Sequence, residues 1–384
     1  MDIFARIENI KYNPLNCSKL KTFQVEDILS GDAFGSGSFI LQRNGEQIAI
    51  SQWVSPKRTR SYPYARVYDT YKHHNRVTII PFLKDEGKDG DRDYIQWDTV
   101  SLMSLLGVYV ILAYYTSAET NPTYENKITN QEFDYSYILS RLEELQEYKS
   151  DALHWNLNEL DNNLLKIANK AKESYLKISQ QTGVSLHSTE GIDRRIGVIK
   201  EDIESFKKYS RELALSAQKR EFLTTQPKES LIEEKAKITI ENYLGGAYYL
   251  TVDEAVLKEI NLFLVEKKHT SSSIMPTLGD IKDGFIKMVL FTNLEKIHIG
   301  ENYVNHYPVL GLTSKKFKGY CSNHSTADEI EECLEENNFS TRRKGRVSKI
   351  FKEGLKNSFL VFLANDAFSS QSVIFEEYLT KLQS

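Results

Sequence analysis

Apolar residues along this chain fall into two rhythms. A step of two governs Ser38–Gln42 and Gln47–Trp53, which flank Arg43-Asn44-Gly45-Glu46. Asn-Gly between alternating segments predicts a β-hairpin, because these residues accept the positive φ of a two-residue turn. Tyr248–Val256 and Ile260–Val265 predict a second strand pair, with Lys258 and Glu259 at the turn and Asp253-Glu254 interrupting the first strand. Arg76–Phe82 reads as a strand, Thr99–Leu106 as a buried helix and Val108–Tyr115 as a buried strand. Steps of three and four take over from Phe133 to Gln180 and from Ile192 to Leu223, as in Ile138, Leu142, Leu145 and Tyr148. Gln181–Ser188 joins these two helices, which predicts an α-hairpin arm suited to clamping DNA or to a dimer contact. Thr225-Gln226-Pro227 breaks the helical run. Glu229–Tyr243 predicts another helix, stopped by Gly245-Gly246. Phe359–Ala364 and Val373–Leu382 predict a last strand and a terminal helix. The expected class is mixed α/β (α+β), with an N-terminal α/β unit over 1–135, a helical arm over 136–225 and a further domain over 226–384.

Composition narrows the class of function. At 384 residues, 40% hydrophobic and 27% charged, the chain has the make-up of a folded protein of two or three domains. Cys17, Cys321 and Cys333 form no disulfide framework, which predicts a reducing compartment. Cys321-x-x-His324 with Cys333 lacks a fourth zinc ligand. The start lacks the order of a signal peptide. Val100–Tyr115 is too short and too polar for a membrane span. A cytoplasmic protein without a membrane partner is expected. The net charge of −4 means that any nucleic-acid contact needs locally gathered cations. Two stretches gather them. Val54–Arg66 interleaves Lys57, Arg58, Arg60 and Arg66 with aromatics and no acid, a mixture that tracks a phosphate backbone. Arg342, Arg343, Lys344 and Arg346, followed by Lys349 and Lys352, lie beside the acidic Asp328–Glu336 and so predict a basic face. Lys315-Lys316-Phe317-Lys318 adds a smaller cluster. Gly31–Gly37 has glycines but no Gly-Lys-Ser/Thr, so it is no nucleotide loop.

Candidate chemistry lies at Glu266-Lys267-Lys268. Glu266 ends the mostly apolar Asn261–Val265, an interior strand, and a carboxylate there is costly unless paired or metal-bound. Alternation sends Glu266 and Lys268 to one side and Lys267 to the other. The pairing strand brings either Asp253 or Glu254 opposite them. Two carboxylates and an ammonium group at one edge suit a divalent metal and a polarised water.

Asp253, twelve intervening residues and Glu266-x-Lys268 resemble the PD-(D/E)xK nuclease signature shared by many restriction endonucleases, with Val252 where the proline would stand. His269-Thr270 and the helix Gly279–Lys287 are similar to restriction-enzyme sequences as well, so the likeness covers Ala247–Leu294. The resemblance implies a restriction-endonuclease-like core, a mixed sheet flanked by helices. It implies Asp253, Glu266 and Lys268 as catalytic residues and Mg2+ on Asp253 and Glu266. Glu254 is the other choice for the first acid, and Glu241, on the preceding helix, an accessory ligand. Lys287, spaced with Asp280 and Asp283 on the next helix, is expected to approach the phosphate. The implied function is a type II restriction endonuclease cutting double-stranded DNA as a homodimer, with a cognate methyltransferase encoded nearby but not bound.

Two rival readings rest on other residues. Leu83–Asp93 imitates an oxygen-ligand calcium loop, but Gln96 stands where the twelfth-position glutamate belongs. Asp93 and Asp98, at the ends of a strand Tyr94–Trp97, form an alternative metal site, and a nuclease centred on the Asp85–Asp98 cluster is the first rival. A non-catalytic nucleic-acid-binding protein with degenerate acids is the second.

Overall fold

The computed structural model describes residues 1–57, 61–201, 205, 208–210, 212, 236–242, 247–366 and 371–383. The chain divides into two units. The first eighteen residues, which carry β1 (Asp2–Ile7), group with residues 217–384, and residues 19–216 form the other unit. The expected boundaries at 135 and 225 are therefore corrected: residues 136–216 belong with residues 19–135, and residues 1–18 with the C-terminal part.

In residues 19–216 a mainly parallel sheet forms from β2 (Lys21–Phe23), β3 (Ser38–Arg43), β4 (Glu46–Gln52), β5 (Arg76–Pro81) and, after a ribbon of β6 (Leu83–Asp85) and β7 (Arg92–Tyr94), β8 (Tyr109–Ala113). The β3–β4 hairpin turns on Asn44 and Gly45, both at positive φ. β9 (Tyr115–Thr120) and β10 (Ile128–Phe133) make a second ribbon. The helices are α1 (Val25–Leu29), α2 (Ser61–Asp69), α3 (Trp97–Leu105), α4 (Tyr135–Glu147), α5 (Ala152–Thr182) and α6 (Glu190–Glu201).

The expected helical arm is corrected for its described part; residues 202–204, 206–207, 211 and 213–225 lie outside the described residues. Helix α5 lies along β8 and β9 and buries Trp155, Leu160, Leu164, Ile167, Ala168 and Ala171. Its polar residues stitch it down: Trp155 Nε1 donates to the Val110 carbonyl at 2.7 Å, and Asn156 accepts from Val110 N–H at 2.7 Å. The buried Glu159 accepts from Arg141 at 2.6 Å and from the Leu112 N–H at 3.1 Å. The apolar stripe that predicted an arm is the wall of a core.

In the other unit β1 runs parallel to β11 (Ala236–Asn242), with Ile3, Ala5 and Ile7 buried alongside Ala236, Ile238 and Ile240. The helix expected over Glu229–Tyr243 is thus corrected for its described part. Ala236, Ile238 and Ile240 alternate with Lys237, Thr239 and Glu241, and this step of two prevails; residues 229–235 lie outside the described residues. β12 (Ala247–Val252) extends this sheet, and a second sheet begins at β13 (Glu254–Lys258) and β14 (Asn261–Thr270). Asp253 is the single residue between the two sheets. The second sheet runs β13-β14-β17-β19-β18, with β14, β17 (Asn305–Ser314) and β19 (Leu360–Asn365) mutually parallel and β13 and β18 (Tyr320–Ser322) antiparallel edges. β15 (Glu295–Ile299) and β16 (Asn302–Tyr303) complete the first sheet.

Helix α7 (Leu278–Phe291) bridges the parallel strands β14 and β17, and α8 (Ala327–Glu336) and α9 (Thr341–Lys356) precede β19. The terminal helix α10 (Gln371–Gln383) covers one face of the sheet, where Phe263, Val265, Val309, Leu360 and Phe362 meet Ile374, Phe375 and Tyr378. Phe263 stacks on Phe375 with centroids 4.3 Å apart, and burying each such ring is worth roughly 1.5–3 kcal/mol. Alternation turns Leu264, Glu266 and Lys268 to the other face, where α7 lies. Among the described residues no helix is long and apolar enough to cross a membrane.

Candidate active site

Three elements build the site: the bend at Asp253, the end of β14 and one face of α7. The antiparallel pairing sets Glu254 opposite Val265, so Asp253 arrives beside the residues after Val265. Its Oδ2 accepts the Lys267 N–H at 2.8 Å. Glu266 is 1% exposed, and both its oxygens are taken. Lys268 Nζ lies 2.8 Å from Oε1 and Lys287 Nζ 2.7 Å from Oε2. Lys268 also donates to Asp283. Asp283 and Lys287 are four residues apart on α7 and therefore share a face. The result is a chain of alternating charge, Lys287, Glu266, Lys268 and Asp283, in which the carboxylates are buried and the lysines half-buried.

Burial pushes the Glu266 carboxyl above its ordinary range; Lys287 and Lys268 oppose this, while the nearby Asp253 adds to it. For Lys268, burial works towards losing the proton, yet Glu266 and Asp283 outweigh burial and the repulsion of Lys287, so its pKa is raised. Lys287 is likewise raised, burial being outweighed by Glu266 and Asp253. Both ammonium groups hold their protons more tightly than a lysine in water, so neither is a general base near neutrality.

Sequence reasoning left the first acid open between Asp253 and Glu254. The structure separates them. Glu254 is 4% exposed and pairs with Lys267 Nζ at 2.9 Å, and Lys267 projects to the face opposite Glu266. Glu254 is therefore removed from the ligand set. Glu241 is removed too: it is exposed on β11, in the other sheet, 3.5 Å from the Arg6 guanidinium. Asp280 accepts a bond from Thr277 at the N-terminus of α7. Asp283 is the residue whose part was missed. Its only sequence signal was the spacing to Lys287.

The other oxygen of Asp253 and the second lone pairs of the Glu266 oxygens, which already meet Lys268 and Lys287, are the hard donors that Mg2+ would take. Three carboxylates, Asp253, Glu266 and Asp283, lie with the two ammonium groups of Lys268 and Lys287 at this strand end. Among the described residues no group of three or more His, Cys, Asp or Glu side chains is gathered for a metal. Mg2+ characteristically keeps most of its ligands as water and needs only one or two carboxylates, so the residues fit that ion.

The expected phosphate contacts divide. Arg342 and Arg343 are exposed on α9, and Arg346 is half-buried. Lys344 is instead held by Glu331 and, at 3.2 Å, by Glu335 of α8. Arg66 is corrected to a structural tie: its Nη1 donates to the Gln52 carbonyl at 2.6 Å, and its guanidinium lies where a side chain on Gly37 would stand. Lys57 is exposed, 3.7 Å from Asp93. Arg58 and Arg60 lie outside the described residues.

The acidic loop does not converge. Asp85 is buried and takes His187 Nδ1 at 2.8 Å and the Gly87 N–H at 2.9 Å. Asp93 accepts from Ser55 Oγ at 2.8 Å, and Asp98 is buried in the first turn of α3. The strand expected over Tyr94–Trp97 is corrected, since β7 ends at Tyr94 and α3 begins at Trp97.

Comparison of the chain with protein-family models, with curated proteins and with solved structures returned no match.

Proposed function

We propose that this chain is a Mg2+-dependent endonuclease that hydrolyses phosphodiester bonds of double-stranded DNA, with a restriction-endonuclease-like core and the role of a type II restriction enzyme. One observation carries the reading. Asp253 is fastened to the Lys267 N–H while Glu266, one residue earlier on β14, is clamped between Lys268 and Lys287. Residues that the signature requires thus meet at one strand end, flanked by α7 and by a parallel strand. A purely structural ion pair does not need a second lysine or a nearby third carboxylate.

Asp253 and Glu266 would hold the metal. Bound there, Mg2+ supplies a water of lowered pKa and offsets charge building on the scissile phosphate. The chain's own residues do the rest. Lys268 stays protonated and donates to a phosphate oxygen as water attacks phosphorus and the bond to the leaving sugar oxygen breaks. Asp283 fixes the direction of Lys268. Lys287 shares Glu266 and opposes the cost of burying its carboxylate. Arg342 and Arg343 offer exposed cations to the phosphate backbone. The proposed enzyme acts as a homodimer, each subunit cutting one strand, beside an independently encoded methyltransferase. Lys268→Ala should abolish cleavage and leave DNA binding largely intact; a pure variant that cleaves as well as the parent would sink the assignment.

A further inference from the structure

A second site lies in the unit formed by residues 19–216, and it owes nothing to the nuclease reading. A cavity of about 310 Å3 opens between the β6–β7 ribbon, the C-terminal half of α5 and the connection that leads into α6. That volume lies at the small end of the range for small-molecule sites. The connection was read from sequence as a plain joint between helices, yet Ser185, His187, Ser188 and Thr189 all line the cavity.

Its lining includes an oriented imidazole. His187 Nδ1 lies 2.8 Å from Asp85 Oδ1, and Asp85 is 4% exposed. Asp85 is itself fixed on several sides. Its carboxylate accepts the Gly87 N–H at 2.9 Å, its N–H donates to Tyr175 Oη at 3.0 Å, and its carbonyl accepts Gln131 Nε2 at 2.9 Å. Tyr175 donates in turn to Gln131 Oε1 at 2.7 Å. A carboxylate held this rigidly fixes the tautomer of the ring and leaves Nε2 as the ring atom for a ligand.

The cavity lining is electropositive. Lys88, Arg92 and Lys172 line it against a single acid, Asp85. Lys172 is paired with Asp193 at 2.5 Å, and Arg92 Nη1 donates to the Ser188 carbonyl at 2.8 Å. Arg92 also needs Gly191: a Cβ there would come within 2.8 Å of Nη2 and 3.0 Å of Tyr94 Oη. The glycine in the first turn of α6 therefore makes the seat for the guanidinium. Beside these charges stand Leu83, Leu176, Ile192 and the rings of Tyr94 and Tyr175. Cations and hydroxyls suit a phosphate monoester, and apolar and aromatic side chains suit a planar ring.

We propose that this cavity binds a mononucleotide, with the phosphate at Lys88 and Arg92, the base against the apolar and tyrosine lining, and His187 hydrogen-bonding the nucleotide. The same chemistry has two sources, a free nucleotide or one nucleotide turned out of a DNA strand. The test is isothermal titration calorimetry on the full chain with 5′-AMP, GMP, CMP and UMP, and with adenosine and inorganic phosphate as fragments. At least one nucleotide should bind with a Kd below about 1 mM, and each fragment about tenfold or more weaker. Lys88→Ala and His187→Gln should each weaken the nucleotide about tenfold, with thermal unfolding showing that both variants are folded. Should His187→Gln fail to fold, Lys88→Ala decides alone, because Lys88 is exposed. Absence of binding by all four nucleotides, or binding that Lys88→Ala leaves unchanged, overturns the proposal. Displacement of bound nucleotide by a duplex carrying one unpaired nucleotide assigns the site to a DNA strand; retention assigns it to the free nucleotide.

Discussion

Replacing Lys287 with methionine removes one ammonium from Glu266 while keeping the length of the side chain. Glu266 is 1% exposed, with Lys287 on one oxygen at 2.7 Å and Lys268 on the other at 2.8 Å. Stripping a buried charge of its only partner costs about 3–5 kcal/mol. Here Lys268 remains, so the loss is nearer that of one charge-assisted hydrogen bond, about 2 kcal/mol. The sign of the pH dependence follows from Glu266. Its pKa is already raised by burial, and losing the Lys287 charge raises it further. The folded variant then binds that proton more tightly than the unfolded chain, so its deficit narrows as pH falls towards the carboxyl range. Hydrogen exchange read on peptides spanning β14 measures the loss locally, without requiring the two units to unfold together. Adding Glu266→Gln should recover most of it, because an amide needs no ammonium partner. A cost below about 0.5 kcal/mol, or the same cost in the Glu266→Gln background, would refute the clamp.

Asp283→Asn should lower kcat for DNA cleavage about tenfold with little change in KM, the pattern of a residue that positions Lys268 rather than binding substrate; a rise in KM alone would contradict it. Gly284→Ala places a Cβ 2.7 Å from Leu310 Cδ1 and 3.5 Å from Lys268 Cε. Overpacking against the buried Leu310 costs about 1–3 kcal/mol, of which the helix preference of alanine over glycine returns up to about 1 kcal/mol, so a melting temperature well above the parent's would show that α7 sits elsewhere. His306 contacts the Phe291 carbonyl at 2.8 Å, and burial lowers its pKa. The unfolded chain takes up this proton first as pH falls through about 6.5, so the parent should lose more denaturant resistance between about pH 7.5 and 5.5 than His306→Gln. Equal losses in both proteins would exclude that role.

The hairpin that carries the candidate site was legible because its signals are local. Two apolar runs, a break at Asp253 and a charged end at Glu266 reappear as β12, β13 and β14. Pairings across long stretches of chain were not legible. Asp2 lies beside Lys237 in a parallel pair, and no local pattern announces it. The described part of the helix expected before the hairpin gave way for the same reason: Glu233-Glu234-Lys235-Ala236-Lys237 favours a helix by composition, but over Ala236–Asn242 β1 offers a parallel edge on which Ile238 and Ile240 are buried. The helical stretch before Gln180 was legible, as α4 and α5, and its docking was not. Asn156 and Glu159, polar residues within that helical run, are both buried and bond to the backbone of β8. The partner of Asp85 was equally hidden, since His187 comes from a connection 102 residues downstream.

The most direct test of the central claim is digestion of a long, methylation-free DNA by the parent chain and by Asp253→Asn, each with and without Mg2+. The parent should yield discrete fragments only when Mg2+ is present, and Asp253→Asn should yield none while still retarding the DNA on a gel. Fragments of the same pattern from Asp253→Asn, or from the parent in excess chelator, would contradict the assignment.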